Sequence, residues 1–310
     1  MVRGVPKRGL WLLVGRYRVG AESEHLYVQE LDTGKLVYRN VAPRLLSSVL
    51  STDQSLFTSS AICLLTRFEV PLVVLSRDLT QVLYYVYCDV SPGLYSEILL
   101  NQYQAQVTDL MLTLQKNLLT TALNSIAKAL AIYGTRLTRL LPVIRAYRAQ
   151  VECSELSEVP ELDQEFLSTF LEYVARELDL EPNYVSDLHQ KLRTIACGEV
   201  LAEVVKVGLQ PDIGLRTEPL ALLDVLKPLT YIPTLKTVLD VYVVSGEVPN
   251  LRNVVKKLYE NIYCTRYRCS DQVSNYVWFL KQYLRKLREW FKELTSEVPT
   301  LELYPVLEKP

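Results

Sequence analysis

The segment Pro71-Leu72-Val73-Val74-Leu75-Ser76 is a continuous apolar run with the length of one β-strand. A strand that is apolar at every position usually has both faces covered, so we expect it in the interior of the N-terminal fold. Residues Ser55 to Phe68, which precede it, predict a helix, because apolar residues recur at helical spacing after a Ser/Thr-rich start. Residues 82–87, which follow it, predict another strand.

Further towards the N-terminus the sequence continues to favour strands. Residues 9–14 form a short apolar run, and residues 26–38 surround the turn Asp32-Thr33-Gly34-Lys35, which predicts a hairpin. The breaker cluster Asp89-Val90-Ser91-Pro92-Gly93 ends this region. We therefore predict a β-sandwich-like domain over residues 1–90, followed by a second domain over residues 91–310.

Beyond residue 93 the apolar residues recur with helical period. A seam with spacings of three and four predicts one long helix over residues 94–132. The seam consists of Leu99, Tyr103, Val107, Leu110, Leu114 and Leu118. The same periodicity predicts helices over residues 161–178, 184–208, 219–227 and 271–294. The predicted fold class is α+β, with a larger, all-α C-terminal domain.

The composition excludes several classes of protein. Apolar residues make up 49% of the 310 residues and charged residues 22%, which is typical of a packed globular protein and not of a disordered chain. No apolar run reaches the roughly 18 residues of a membrane span, and the first apolar run is too short for a signal peptide. These features predict a cytoplasmic protein with no membrane partner. The six cysteines form no Cys-x-x-Cys pair, which argues against a zinc ribbon.

The net charge of −1 conceals two regions of opposite sign. Residues 152–187 hold eleven acids and one base, whereas residues 250–295 hold ten bases and four acids. Four of these bases recur at helical spacing and form what we name the basic stripe: Lys281, Arg285, Arg288 and Lys292. Such a stripe is as typical of a solvated helix as of a DNA-binding face, where clustered Lys and Arg hold phosphates. Arg266 and Arg268 are further candidates for DNA binding.

Three segments together resemble the CRISPR-associated integrase family Cas-one, which carries out spacer acquisition. The first, Ser55–Ala61 with Pro71–Arg77, resembles the helix and x-P-V-V-F-L strand that close the family's N-terminal domain. The second, Gln102-Tyr103-Gln104-Ala105 with Lys116 and Asn117, resembles the family's R-x-x-Q-Y and K-x-x-N-Q helix.

The third segment has the most specific likeness. Gly208-Leu209-Gln210-Pro211-Asp212-Ile213-Gly214-Leu215 is similar to G-L-D-P-x-I-G-F, and Leu220–Pro228 is similar to L-x-L-D-L-x-E-P. One departure lies in the second segment, where Leu99 stands in place of the usual Arg. The order and spacing of the three segments cover nearly the whole chain, and the resemblance implies an N-terminal β domain joined to a helical bundle.

The resemblance also implies a site for Mn²⁺ or Mg²⁺ formed by a Glu, a His and a second acid. Such an ion neutralises charge on a phosphate and activates an oxygen nucleophile. At the matching positions Thr217 replaces the His, Asp224 retains one acid, and Lys227 replaces another acid and would repel a metal ion. The Glu has its best match at Glu165. The resemblance therefore implies a degenerate member with Glu165 and Asp224 as remnants of the site and with no cofactor.

Three hypotheses are consistent with these features. In the first, a degenerate Cas-one-like protein binds duplex or branched DNA, forms a homodimer through its β domain, and contacts a Cas-two-type small subunit and an active Cas-one sister subunit. In the second, an active metal-dependent endonuclease and integrase uses Glu165, Asp224 and a shifted acid such as Glu218, with Mn²⁺ or Mg²⁺. In the third, the chain is a protein-binding scaffold with no DNA role.

Each acid and histidine also has a structural interpretation. Asp224 suits an ion pair with Lys227 three residues later, and Glu165 suits a solvated helix face. His189 has no Cys or carboxylate at ligand spacing, which favours a surface or half-buried position.

Overall fold

The computed structural model describes residues 9–87, 96–133, 135–216, 218–245, 250–295 and 297–306. The strands are β1 (Gly9–Leu13), β2 (Tyr17–Glu22), β3 (His25–Glu30), β4 (Leu36–Val41), β5 (Leu46–Thr52), β6 (Leu56–Phe57), β7 (Leu72–Leu75), β8 (Val82–Val86), β9 (Arg266–Cys269), β10 (Gln272–Asn275) and β11 (Tyr304–Pro305). The helices are α1 (Ser59–Arg67), α2 (Ser96–Val107), α3 (Leu110–Leu130), α4 (Thr135–Thr138), α5 (Leu141–Cys153), α6 (Val159–Leu178), α7 (Pro182–Lys206), α8 (Ala221–Leu226), α9 (Tyr231–Ser245), α10 (Leu251–Tyr259) and α11 (Tyr276–Glu293).

Two four-stranded sheets form the N-terminal part of the chain. The first has the order β1-β5-β7-β8 and the second the order β4-β3-β2-β6. Strand β7 pairs with β5 in parallel and with β8 antiparallel, and every residue of it is buried, as its unbroken apolar run predicts. The predicted hairpin is also present, because β3 pairs antiparallel with β4. Val19 and Val28 from the second sheet share one buried cluster with Val49 and Val74 from the first.

Helix α7 joins the first sheet to the helical region. Leu50 and Leu75 point away from the second sheet and belong to the larger core, which the helices build. Gly198 allows α7 to lie close to them, because a Cβ atom at that position would be 2.8 Å from Leu50 Cδ2. The larger, mainly helical region therefore packs directly on the sheet, and the predicted α+β fold class is confirmed. The prediction that this region is all-α is wrong, because β9, β10 and β11 form a three-stranded sheet within it.

The predicted single helix over residues 94–132 is wrong. The chain breaks between α2 and α3, where Asp109 has a left-handed backbone with φ of +57°. Short polar residues such as Asp tolerate this conformation, and it turns the second helix away from the direction of the first. Part of the predicted apolar seam is consequently exposed, namely Leu99, Tyr103 and Val107. Helix α2 instead buries Ile98, Gln102 and Ala105.

Other elements follow the periodicity more closely. Helices α6 and α7 confirm the predictions over residues 161–178 and 184–208. The predicted helix over residues 271–294 begins only at Tyr276, because Gln272–Asn275 is a strand paired with β9. The sequence predictions omitted several elements, namely α4, α5, α9 and α10 and the strands β2, β5, β6, β9, β10 and β11. The cluster at residues 89–93 lies outside the described residues, so the domain boundary at residue 90 stays a prediction.

Among the helices of the described residues, none combines the length and the apolar character that crossing a bilayer requires.

Candidate functional site

A cavity of about 520 Å³ lies among α3, α6, α7 and the segment over residues 215–231. This volume is within the range of small-molecule and cofactor pockets. We name it the central cavity, and its lining residues are Gln115, Pro160, Asp163, Gln164, Arg193, Leu215, Arg216, Ala221, Asp224, Lys227 and Tyr231.

Asp163 is the buried acid of the cavity. It lies on the inward face of α6, three residues before the buried Phe166, and is 4% exposed. The hydroxyl of Tyr231, at the start of α9, donates a hydrogen bond of 2.5 Å to Asp163 Oδ1. Burial raises the pKa of Asp163 to about 6, although the Tyr231 hydrogen bond and the positive charges of Lys227 and Arg193 act in the opposite direction. The Asp163 carboxyl is therefore easier to protonate than an ordinary aspartate.

Asp224 and Lys227 form an ion pair at the end of α8. Lys227 Nζ lies 2.5 Å from Asp224 Oδ1, at the i, i+3 spacing that the sequence predicts. Both side chains are partly exposed, at 32% for the lysine and 41% for the aspartate. The Lys227 ammonium is thus in direct contact with the Asp224 carboxylate.

Two arginines complete the charged lining. Arg193 lies on α7, and its Nη2 donates to Gln190 Oε1. Arg216 lies on the loop that precedes α8 and forms an ion pair with Glu218. The central cavity consequently brings together three cations and two carboxylates from separate segments of the chain.

The loop over residues 208–220, where the most specific sequence likeness lies, is held from both sides. The buried Gln102 of α2 accepts a hydrogen bond from Gln210 N at 2.9 Å and donates one to Gln210 O at 3.2 Å. At the other end Asp212 Oδ1 accepts from Leu220 N at 3.0 Å. Gly214 packs against the start of α8, where a Cβ atom would be 2.2 Å from the carbonyl oxygen of Ala221. These contacts place Arg216 and Asp224 at the cavity.

The structure brings Asp224 together with Asp163 and not with Glu165. Glu165 is exposed on α6, and its Oε1 accepts a hydrogen bond from Tyr147 Oη at 3.0 Å. Two residues along a helix correspond to a rotation of about 200°, so Asp163 and Glu165 face different directions. The apolar seam of α6, which includes Phe166 and Phe170, was the signal that would have identified Asp163 as the inward acid.

The remaining candidates occupy other positions. Glu218 pairs with Arg216 and is not among the residues that line the cavity. Thr217 lies outside the described residues. The expected surface or half-buried position of His189 is wrong, because His189 is 1% exposed and its Nε2 is 3.1 Å from Thr234 Oγ1. It lies on the core side of α7, where neighbouring helices cover it.

The donor set of the central cavity does not suit Mn²⁺ or Mg²⁺. Mg²⁺ is bound in proteins by one or two ionised carboxylates together with waters and substrate phosphates, and Mn²⁺ takes the same kinds of oxygen ligand. Here Asp224 is already paired with Lys227, and one oxygen of Asp163 is bonded to Tyr231. Over the parts of the chain that the structure describes, no three His, Cys, Asp or Glu side chains are grouped so that they could hold a metal ion.

The basic stripe lies on α11, about 100° around the helix from a face that buries Leu280, Leu284 and Leu287. Arg285 is exposed, whereas Lys281 Nζ lies 3.7 Å from the buried Glu203 Oε1. The other two members differ as well, since Arg288 is half-buried and Lys292 forms a 2.7 Å ion pair with Glu289. Arg266 and Arg268 are exposed on β9, on either side of the buried Tyr267.

Comparison with known proteins identifies the fold. No protein-family model matches the sequence, and no curated protein matches it. Among solved structures, a casposase bound to integration product is similar with a TM-score of 0.77 and 13% identity, covering 93% of this chain and 92% of that chain. The Cas6-RT-Cas1–Cas2 complex is similar with a TM-score of 0.74 and 12% identity, covering 96% of this chain and 36% of that chain.

A crystal structure of TtCas1 is similar with a TM-score of 0.51 and 15% identity, covering 81% of this chain and 90% of that chain. At identities this low the likeness is one of fold. The chain therefore has the fold of the casposase and Cas1 structures. The resemblance to the Cas-one family, predicted from the sequence, is confirmed at that level.

Proposed function

We propose that this chain is a Cas-one-like protein of CRISPR adaptation that binds DNA and does not itself cut or join strands. The observation that carries this proposal is the 2.5 Å ion pair between Lys227 and Asp224 in the central cavity, beside the buried Asp163. In this interpretation fixed cations stand where the family resemblance implies a divalent metal ion.

Electrostatics explains why such a cavity disfavours metal-dependent chemistry. Two like unit charges 4 Å apart near a protein surface repel each other by about 4 kcal/mol, and a divalent ion experiences more. A metal ion bound to Asp224 would have to displace Lys227 or remain close to it. Arg193 adds a second positive charge to the same cavity.

The DNA-binding part of the proposal is supported by the basic residues and by the fold. Arg285 and Lys286 are exposed on α11, and Arg266 and Arg268 are exposed on β9. The similar casposase structure is described as bound to integration product. We propose that this chain holds duplex or branched DNA, while an active Cas-one sister subunit supplies the strand chemistry and a Cas-two-type small subunit completes the assembly.

Incubation with branched DNA and Mn²⁺ tests this function. We expect neither cutting nor joining of strands, together with DNA binding whose affinity falls steeply with salt. Arg285→Gln is expected to reduce the slope of log K against log salt by about 1. Arg148→Gln, which removes an exposed arginine on α5, is the control and should leave the slope unchanged.

One result would overturn the proposal that this chain does not cut or join DNA strands. If the wild-type protein joins strands with Mn²⁺ and the double variant Asp163→Asn, Asp224→Asn does not, then the cavity is an active metal site. If the wild-type protein binds no DNA at any salt concentration, the chain is a protein-binding scaffold instead.

We also propose a homodimer that forms through the N-terminal sheets. Strand β4 lies at the edge of the second sheet, and an unpaired edge is a common basis for association between chains. Three successive apolar residues of β4 are exposed, on alternating faces of the strand, and we name them the apolar row: Leu36, Val37 and Tyr38. Light scattering after size exclusion should give twice the 35.5 kDa chain mass for the wild type, and 35.5 kDa for Val37→Lys.

The control for this measurement is Lys35→Gln, which changes the adjoining turn but not the apolar row. It should remain a dimer. A wild-type mass of 35.5 kDa, or a Val37→Lys variant that remains dimeric, would contradict a dimer formed through β4.

A further inference from the structure

The central cavity has the chemistry of an anion site. Three cations line it and originate from different segments: Arg193 from α7, Arg216 from the loop before α8, and Lys227 from the turn after α8. Two acids, Asp163 and Asp224, also line the cavity, so among the lining side chains the cations outnumber the acids by one, while Glu218, outside the lining, pairs with Arg216. An arrangement of this kind attracts a phosphate and repels a metal cation.

The cations of the cavity have more N–H donors than hydrogen bonds. A lysine ammonium has three N–H donors and a guanidinium has five. Lys227 forms an ion pair with Asp224, and Arg193 donates a hydrogen bond to Gln190. The internal partners hold both side chains in position, and the excess donors remain available to an incoming oxygen.

A buried amide gives independent support for a ligand. Gln115 on α3 is only 2% exposed and lines the cavity, and its Oε1 has no hydrogen-bond partner. An unsatisfied buried polar group of this kind is uncommon and calls for a partner. The unpaired oxygen is itself an acceptor and cannot bond a phosphate oxygen, but a 180° rotation of the amide, which exchanges Oε1 and Nε2, turns an N–H donor to the same place.

We propose that the central cavity binds a backbone phosphate of DNA without a divalent metal ion, with Arg193 and Lys227 donating to its non-bridging oxygens. Arg216, whose side chain is 71% exposed, lies at the mouth and contacts the neighbouring backbone. This inference rests on the proposed DNA-binding function and adds a second contact region to the basic stripe.

The two contact regions are separate along α7. Lys281 of the stripe contacts Glu203, which is ten residues after Arg193 and therefore about 15 Å further along the helix axis. Ten residues also correspond to a rotation of about 1000°, so the two positions face different directions. A variant in one region therefore leaves the other region intact.

Fluorescence anisotropy with a short labelled duplex in EDTA tests the inference. We expect Lys227→Gln and Arg193→Gln each to weaken binding about tenfold, since each removes a charged phosphate contact. Lys227→Arg, which keeps the charge, should remain within about threefold of wild type, and Lys227→Glu should weaken binding more than Lys227→Gln. Arg148→Gln on α5 is the matched control, and circular dichroism melting verifies that each variant is folded.

Different outcomes separate this inference from the proposed function. If Arg285→Gln weakens binding but the Arg193 and Lys227 variants do not, the cavity inference fails and the DNA-binding function stands. If binding occurs only when Mn²⁺ is present, the metal-free site is contradicted. If no duplex binds the wild type under any condition, the proposed function itself fails.

A last arm distinguishes DNA from a small anion as the source of the phosphate. Inorganic phosphate is titrated into the unlabelled protein by calorimetry. If inorganic phosphate binds the wild type, does not bind Lys227→Gln, and the same variant retains full affinity for the duplex, then the cavity is a site for a small anion and the DNA assignment is overturned.

Discussion

Replacing Gly214 by alanine is expected to lower the free energy of unfolding by about 3 kcal/mol, the upper part of the range for overpacking. A Cβ atom at this position would lie 2.2 Å from the carbonyl oxygen of Ala221 and 2.7 Å from the amide nitrogen of Leu222. Both neighbours are backbone atoms at the start of α8, so no side-chain rotation relieves the overlap. The loop has to move away from the helix.

Urea unfolding monitored by circular dichroism measures this effect. Gly34→Asn is the control, because Gly34 has a φ of +68° and its Cβ position is open apart from Gln29 Nε2 at 3.7 Å. Asparagine tolerates that conformation, and we expect a change below about 1 kcal/mol. An unfolding midpoint of Gly214→Ala equal to that of the wild type would show that the loop does not pack against α8 in this way. The expected movement of the loop also displaces Arg216, so DNA affinity in EDTA should fall in the same variant.

Acidification from pH 7 to pH 5 is expected to remove about 2 kcal/mol of stability through His189 alone. Burial lowers the pKa of His189 to about 3, and the positive charge of Arg193 acts in the same direction. An unfolded histidine has a pKa of about 6.5. Between these two values the unfolded chain binds a proton that the folded chain excludes. This contribution is therefore complete above pH 6.5 and is lost as the pH falls towards 3.

Other buried groups change the free energy of unfolding with pH in the opposite direction. The contribution of His189 is therefore measured by comparing the variant His189→Gln with the wild type at both pH values. Burial raises the pKa of Asp163 to about 6 and that of Glu199 to about 7, which makes the folded chain bind more protons than the unfolded chain. In His189→Gln the loss of stability between pH 7 and pH 5 should be about 2 kcal/mol smaller than in the wild type. An equal loss in the two proteins would contradict a neutral, buried His189.

Several elements of the fold were predictable because their signals are local. Strand β7 is apolar at every position, and α6 and α7 have apolar residues at helical period. Helix α9 was missed because it is apolar on nearly all sides and so shows no clear seam, since Tyr231, Leu235 and Val241 are all buried. The break before α3 was missed for another reason, because the apolar spacing continues unchanged through Asp109 while the backbone does not.

The candidate site was predictable only in part. Asp224 and Lys227 are three residues apart, so their pairing could be expected from helical geometry. The choice between Asp163 and Glu165 could not be made from a short motif in which both acids occur two residues apart. Only the packing of α6 shows that Asp163 faces inward, where the hydroxyl of Tyr231 reaches it from 68 residues further along the chain.

The sequence by itself determined the α+β class, the resemblance to the Cas-one fold, and those strands and helices whose apolar pattern is local, because backbone preference and apolar periodicity are properties of neighbouring residues. The tertiary structure alone decided which charges meet. Arg193 and Lys227 lie 34 residues apart and yet line one cavity with Asp163. Electrostatic interactions depend on distance in space and on burial, and neither quantity is written in the order of the residues.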